Sequence, residues 1–175
     1  MNFQRAKWVA VTGLVLAALL AAIAVRPGSR LPSGKEGEVV VDFALPVVTA
    51  AGLQTQRLDG PQHHRTKPLL LHFWAPSCAP CREELPLWQD LAQHADTFAV
   101  LTVAGDESDD VVAYLKEHHL TLPTLWDENG TAHKALSVWT IPHTFVLTPK
   151  GLIVRDLMGA QTRESLQEAL TAAAK

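Results

Sequence analysis

The sequence has very few cysteines. Only two occur among its 175 residues, and both lie in one tetrapeptide, Cys78-Ala79-Pro80-Cys81. A framework of disulfides that joins distant segments is therefore excluded, and any bridge within the chain must be local. The same shortage argues against a structural zinc site, because zinc usually takes four ligands and the sequence has neither a second C-x-x-C pair nor an H-x3-5-H pair.

The sequence also lacks an excess of positive charge. Fifteen Lys and Arg residues stand against eighteen Asp and Glu residues, for a formal net charge of −3. Composition therefore gives no electrostatic reason to expect a nucleic-acid partner. Apolar residues make up 47% of the chain, which suffices for the core of one compact domain, and no internal repeat divides the sequence.

One long apolar run is present near the N-terminus. Residues 8–25, WVAVTGLVLAALLAAIAV, contain no charge, and as a helix they would extend for roughly 27 Å, enough to span a bilayer core. We expect residues 1–25 to form a membrane anchor; a cleaved signal is the alternative, which the length of the run disfavours. Residues 26–37 are rich in Pro, Gly, Ser and charge and predict a linker to a domain at 38–175.

The rest of the chain alternates extended and helical patterns. The apolar run at 68–74 predicts a buried central strand, and a stripe from Leu85 to Leu91 predicts a helix over 79–94 with a kink at Pro86. The remaining patterns predict strands at 39–45, 53–58, 98–103, 121–126, 144–147 and 152–157, and helices at 109–119, 131–136 and from a Thr162 cap to Ala173. This order predicts a three-layer α/β domain, with a mixed central sheet flanked by helices.

The position of the cysteine pair indicates redox chemistry. Cys78 follows the predicted central strand and begins the predicted helix, where unpaired amide groups and the positive end of the helix dipole stabilise a thiolate. We expect Cys78 to be the nucleophile that attacks a partner's disulfide. Cys81, one helical turn further, would then resolve the mixed disulfide by attacking Cys78.

Two segments of the sequence resemble a known family. FWAPSCAPCREE at 73–84 and WTIPHTFVL at 139–147 are similar to the thioredoxin superfamily, and specifically to its TlpA/ResA/CcmG-like branch. The resemblance extends roughly over 41–170, with an opening Asp42-Phe43 segment and an insert over 106–126. It implies a thioredoxin-like fold and a thiol-disulfide oxidoreductase without a cofactor.

The resemblance also implies a location and partners. Such proteins are anchored in the inner membrane by a single span, with the catalytic domain in the periplasm or otherwise outside the cytoplasmic membrane. They keep their dithiol reduced, act on oxidised cysteines of partner proteins, often those of apocytochrome c, and receive electrons from a membrane thiol transporter. Basic residues flank the apolar run on both sides, so charge alone does not settle this orientation.

Particular residues receive roles from the same resemblance. Pro142 would form a cis bond near the cysteines and leave the backbone of Ile141 free to pair with an extended substrate peptide. Trp74 is the third expected substrate-binding residue. Glu84 matches an acidic residue that would relay protons as a third catalytic residue, or else it is an exposed first-turn residue that complements the helix dipole. His72 would either exchange protons with the second cysteine or be a hydrogen-bonded core histidine.

Several departures and alternatives stay open. Ser77 stands where the family usually has Trp, so the docking surface around the nucleophile is smaller and more polar. The Ala79-Pro80 dipeptide supplies no cation to stabilise the thiolate, which favours a reductant over a thiol oxidase or a copper-stress oxidoreductase. A copper chaperone would usually have three residues between its cysteines, and a thiol peroxidase would have Thr in place of Ala75. No metal site is expected, because the adjacent pairs His63-His64 and His118-His119 point in different directions, and surface solvation also accounts for His143.

Overall fold

The structure is a computed structural model, and it describes residues 36–40, 43–59 and 66–174. The predicted membrane anchor, nearly all of the predicted linker, Asp42 and the His63-His64 pair lie outside the described residues. Within the described residues, no helix has both the length and the apolar character needed to cross a bilayer. The anchor therefore stays a prediction.

The described residues form seven strands and four helices. The strands are β1 (Ala44–Thr49), β2 (Gly52–Asp59), β3 (Leu69–Trp74), β4 (Ala99–Ala104), β5 (Thr124–Trp126), β6 (His143–Leu147) and β7 (Ile153–Met158). The helices are α1 (Ala79–Gln93), α2 (Ser108–Glu117), α3 (Thr131–Ala135) and α4 (Arg163–Ala173). One sheet contains all seven strands in the order β2-β1-β5-β4-β3-β6-β7.

The sheet is mixed, as the sequence predicts. Strands β3, β4 and β5 pair in parallel, whereas β6 and β7 on one side and β1 and β2 on the other pair antiparallel. The parallel strands are joined by α1 and α2, because parallel neighbours need a crossover connection. The final helix begins at the predicted cap, where Thr162 Oγ1 accepts a hydrogen bond from Ser165 N at 3.3 Å.

Apolar side chains cover both faces of the sheet. All six residues of β3 are buried, because alternate side chains enter different clusters: Leu70 and Trp74 pack on one face, and Leu71 and Phe73 pack on the other. The first cluster also contains side chains of α1, α2 and α4, whereas the second contains Ala132 of α3. The predicted three-layer thioredoxin-like arrangement is thereby confirmed.

Two strand predictions miss their boundaries. The first strand begins at Ala44, and the segment before it instead pairs with the end of the sheet, through a Val39–Leu152 bridge and a hydrogen bond from Val40 N to Gly151 O. The strand predicted over 121–126 is confined to Thr124–Trp126. Pro123 has no amide hydrogen for the ladder, although its carbonyl accepts a hydrogen bond from Thr102 N.

The pairing of β3 with β6 determines where the functional residues meet. These strands are antiparallel, and Phe73 at the end of β3 lies opposite His143 at the start of β6. The loop that follows β3 contains the cysteine pair, and the loop that precedes β6 contains Pro142. The topology therefore brings the two motifs of the sequence to the same edge of the sheet.

Candidate active site

The two cysteines are joined by a disulfide, with their Cα atoms 5.3 Å apart. Cys78 is the N-cap of α1, and its Sγ accepts a hydrogen bond from Cys81 N at 3.3 Å. Cys78 is half-buried, whereas Cys81 is completely buried in the core. The sulfur of Cys78 is therefore the one that a partner can reach, which supports its predicted role as the nucleophile.

Local sequence explains why the helix begins at the first cysteine. Cys78 has an extended backbone (φ −88°, ψ 106°), and Pro80 lies in the first turn, where its missing amide hydrogen costs no hydrogen bond. Cys78 N also donates to Ala75 O at 3.1 Å, which closes the turn between β3 and α1. The first helical turn contains no acidic side chain, so the dipole at this end is not offset there.

The peptide bond between Ile141 and Pro142 is cis, as the sequence predicts. Pro142 is buried, and its carbonyl accepts a hydrogen bond from Gly159 N at 2.7 Å. Ile141 is half-buried and packs against both apolar clusters. The proline loop is thus tied to the segment that follows β7.

Glu84 is a buried side chain rather than an exposed first-turn residue. It lies on the same face of α1 as Cys81, three residues away, and only 6% of it is exposed. Its Oε2 accepts a hydrogen bond from Gln161 N at 2.9 Å, and its Oε1 lies 3.3 Å from Nε2 of His72. The structure thereby excludes the surface alternative for Glu84.

His72 is enclosed in the core beside this carboxylate. Its ring stacks on Trp88, with ring centres 4.2 Å apart, and its Nδ1 lies 3.0 Å from Thr144 Oγ1, a hydroxyl that can donate or accept. Complete burial lowers the pKa of His72 to about 3, with a smaller contribution from His143. His72 is therefore neutral at physiological pH and cannot supply a proton as an imidazolium.

Trp74 does not lie where a substrate could touch it. Its side chain is completely buried, its Nε1 donates to Thr102 Oγ1 at 3.2 Å, and its ring contacts Tyr114. The expectation that Trp74 contacts substrate does not fit this structure, because β3 is central and both of its faces are covered. Trp74 instead supports the cysteine loop from within the core.

Two oppositely charged side chains bind the loop before Cys78, and sequence reasoning did not single them out. The carboxylate of Asp106 accepts a hydrogen bond from Ser77 N at 3.2 Å, and the guanidinium of Arg82 donates to Pro76 O at 3.3 Å. Asp106 is itself held by Trp126, whose Nε1 donates to the Asp106 carbonyl at 2.9 Å. The position of Asp106 two residues after the end of β4, a parallel neighbour of β3, was the available signal, since such strand ends share an edge.

The histidines do not assemble a metal site in the part of the chain that the structure describes. No group of three or more His, Cys, Asp and Glu side chains is arranged to hold an ion there. His143 is not a solvated surface residue, contrary to the expectation: it is buried, and its Nε2 lies 2.6 Å from Oδ1 of the buried Asp156. His143 directly follows Pro142 and lies opposite Phe73, whose side chain is on the other face of the sheet from that of His72.

Comparisons with known proteins agree with this geometry. The model of the AhpC/TSA family matches residues 37–156. Sporulation thiol-disulfide oxidoreductase A of Bacillus subtilis is 30% identical over 156 residues, which cover 86% of this chain and 90% of that protein. Thiol-disulfide oxidoreductase ResA of Bacillus thuringiensis subsp. konkukian is 27% identical over 139 residues, which cover 78% of this chain and 80% of that protein.

A solved structure supports the same relationship. The crystal structure of StoA from Bacillus subtilis superposes with a TM-score of 0.63 at 28% sequence identity, and the match covers 75% of this chain and 97% of that one. The match therefore extends well beyond the segments around Cys78 and Pro142. The chain belongs to the AhpC/TSA family, as a thioredoxin-like member of the ResA/StoA thiol-disulfide oxidoreductase type.

Proposed function

We propose that this thiol-disulfide oxidoreductase reduces disulfides of partner proteins in the bacterial cell envelope through its Cys-Ala-Pro-Cys dithiol. The observation that carries the proposal is the difference between its two sulfurs. Cys78 is half-exposed at the N-terminus of α1, whereas Cys81 is completely buried behind it. A sulfur that a protein substrate can reach and a second, resolving sulfur that it cannot reach are what thiol-disulfide exchange with a protein requires.

The reaction proceeds in two exchanges. The Cys78 thiolate attacks one sulfur of the partner disulfide, the partner's S–S bond breaks, and its second sulfur leaves as a thiolate that takes a proton. Cys81 then loses its proton and attacks Cys78, which releases the partner's first sulfur as a thiol and forms the intramolecular disulfide present in this structure. Two electrons pass to the partner, and a membrane dithiol donor restores the reduced enzyme.

The second exchange requires a proton acceptor for a buried thiol. Glu84 lies three residues after Cys81 on the same buried face of α1, and its carboxylate is held by Gln161 N. His72 is neutral and adjoins this carboxylate, so it adds no positive charge beside the departing proton. Glu84 therefore acts as the general base for Cys81, and the backbone amide of Gln161 holds its carboxylate in place.

The direction of the reaction depends on how strongly the protein stabilises the Cys78 thiolate. Ala79 and Pro80 provide no cation, and the carboxylate of Asp106 opposes the guanidinium of Arg82 on the loop before Cys78. Without a net positive charge beside it, the thiolate receives no stabilisation beyond that of the helix terminus, which favours a reductant. The predicted anchor would hold the domain at the membrane, where oxidised cysteines such as those of apocytochrome c are the expected substrates.

The proposal is tested by measuring the reduction potential and by trapping partners. We expect a potential near or below about −250 mV, whereas a value above about −180 mV would assign the protein to the oxidases. A Cys81→Ser variant should accumulate mixed disulfides with partner proteins from the cell envelope, because the second exchange is blocked. Cys78→Ser should trap none, and equal trapping by both variants would contradict the assigned roles.

A further inference from the structure

Apolar side chains are exposed on both sides of the cis-proline loop. Trp139, three residues before Pro142, is 86% exposed. Met158 at the end of β7 is 44% exposed, and it lies opposite His143, the residue after Pro142. Among the described residues, these two account for half of the large hydrophobic side chains that are exposed, the others being Val39 and Leu53. Two of these four exposed side chains, including the most exposed one, thus lie beside the predicted peptide-binding loop.

The backbone fixes the spacing of this surface relative to the loop. Pro142 O accepts a hydrogen bond from Gly159 N at 2.7 Å, so Met158 is bound to the loop through its neighbour. Trp139 is separated from Pro142 by three Cα–Cα steps, which limits their distance to about 11 Å. A substrate segment that pairs with the backbone of Ile141 therefore extends within reach of both side chains.

The exposure of Trp139 contrasts with the other described tryptophans. Trp74 and Trp88 are completely buried, and Trp126 is half-buried with its Nε1 bonded to Asp106 O. Leaving an indole in water forfeits the burial of a large apolar surface, so the fold gains nothing from this placement. Tryptophan is also among the residues that contribute most to binding at protein interfaces.

We infer that Trp139, assisted by Met158, determines substrate specificity by binding a large apolar side chain that flanks the oxidised cysteine of the partner protein. This inference rests on the proposed function. Trp139 supplies the aromatic contact that Ser77 cannot supply beside the nucleophile. Its partner is an extended protein segment with an aromatic or large aliphatic residue within a few positions of its cysteine, since the loops that contain Cys78 and Trp139 lie at the same edge of the sheet and one strand-like segment can contact both.

Two synthetic peptides provide the test. Each has one cysteine blocked as a mixed disulfide with thionitrobenzoate, and they differ only in having Phe or Ser two residues to either side of that cysteine. The disulfide of 2-mercaptoethanol, a small disulfide without an aromatic ring, serves as a probe without a peptide. The pre-reduced protein should react faster with the Phe peptide than with the Ser peptide, and Trp139→Ser should lower the second-order rate constant for the Phe peptide about tenfold.

Matched variants separate recognition from folding. Met158→Ser should lower the same rate constant less strongly, whereas Leu53→Ser should leave it unchanged, because Leu53 is equally exposed but lies in β2 at the opposite edge of the sheet. All variants should react with the small disulfide at the wild-type rate. Trp139→Phe should restore most of the preference for the Phe peptide, which a purely structural role for the indole would not predict.

The outcomes distinguish this inference from the proposed function. Equal loss with both peptides, or no loss with either, after Trp139→Ser would overturn the specificity role while leaving the redox activity established. A wild-type protein that reduces neither peptide nor the small disulfide would instead overturn the proposed function. Fluorescence gives an independent check: the emission of Cys81→Ser should shift to shorter wavelength when the Phe peptide is trapped, and Trp139→Phe should abolish that shift.

Discussion

The carboxylate of Glu84 lies 3.3 Å from Nε2 of His72, and both side chains are buried behind Cys81. The contact is not aligned as a hydrogen bond, and His72 instead approaches Thr144 through Nδ1. Burial keeps the imidazole neutral, so the pair is not a salt bridge at physiological pH. His72 thus supplies a polar neighbour for the carboxylate without neutralising it.

Neutral His72 makes the folded state sensitive to acid. Its pKa is about 3 in the folded protein against 6.5 in an unfolded chain, so between these values the unfolded state binds the extra proton. Above pH 6.5 this group is neutral in both states and costs the folded protein no stability. As the pH falls from 6.5 towards 3, the folded protein loses progressively more stability. We expect the free energy of unfolding to fall by up to about 1.4 kcal/mol per pH unit in this window, measured by urea denaturation.

The test for His72 is the slope of the free energy of unfolding against pH, not the free energy of unfolding at one pH. His72→Asn removes the titrating group and should reduce the pH dependence by about one proton between pH 6.5 and pH 4.5, whatever its effect on stability itself. This window lies above the range in which Asp127, whose pKa is lowered in the folded state, contributes. An unchanged slope in the variant would show that His72 titrates normally.

Glu84→Gln should slow the resolution of mixed disulfides. The amide keeps the shape of the side chain but cannot accept the proton of Cys81, so we expect the second exchange to be about 100-fold slower near neutral pH. The first exchange, measured as the initial burst with a chromogenic disulfide, should change little because it uses the thiolate of Cys78. Stopped-flow kinetics at several pH values separates the two steps. The difference in the rate of the second exchange should shrink as the pH approaches the pKa of a free thiol.

The matched control for Glu84 is its neighbour Glu83, which is exposed on α1. Glu83→Gln removes the same charge from the adjacent position and should leave both exchanges unchanged. If the two variants slowed the reaction equally, the effect would come from the charge of the helix and not from a proton acceptor at residue 84.

The sequence predicted the architecture of the domain because its strongest patterns are local. A continuous apolar run produced β3, and the Thr162 cap correctly located the start of α4. The position of Cys78 after a strand and before a helix likewise required only neighbouring residues. Predictions failed where long-range pairing decides: the residues before Ala44 pair with the segment around Leu152 in place of continuing β1.

The candidate site shows the same division. Burial of Glu84 depends on Gln161, which is 77 positions away, and no pattern among neighbouring residues indicates that contact. His143 was expected on the surface, yet it pairs with Asp156 across two strands. Trp74 was expected to contact substrate, and only the covering of both faces of the sheet shows that it cannot.

Asp156→Ala should destabilise the protein substantially. The buried carboxylate lies 2.6 Å from His143 Nε2, and its removal leaves a buried imidazole without that partner. We expect a loss of about 3 kcal/mol in the free energy of unfolding, measured by urea denaturation at neutral pH. The variant Asp90→Ala breaks a pair with Arg163 on the exposed surface and should cost much less. Similar losses in the two variants would show that the buried pair contributes no more to stability than the surface pair does.

The charges beside the cysteine loop should tune the reduction potential in opposite directions. Asp106→Asn removes a negative charge next to Ser77, so the Cys78 thiolate becomes more stable and the reduced form is favoured. We expect the potential to rise by about 10 to 20 mV, the shift that corresponds to a surface interaction of about 0.5 to 1 kcal/mol. Equilibration with glutathione buffers measures this change.

Arg82→Gln is the counterpart, because its guanidinium binds the carbonyl of Pro76 on the same loop. Its removal should lower the potential by a similar amount, and the double variant should lie near the wild type, since the two charges act on one thiolate. Asp96→Asn removes the same charge as Asp106→Asn beyond the far end of α1 and should leave the potential unchanged. Both effects should diminish in high salt, because interactions between exposed charges are screened. Shifts of the same sign in Asp106→Asn and Arg82→Gln would mean that loop distortion, not charge, sets the potential.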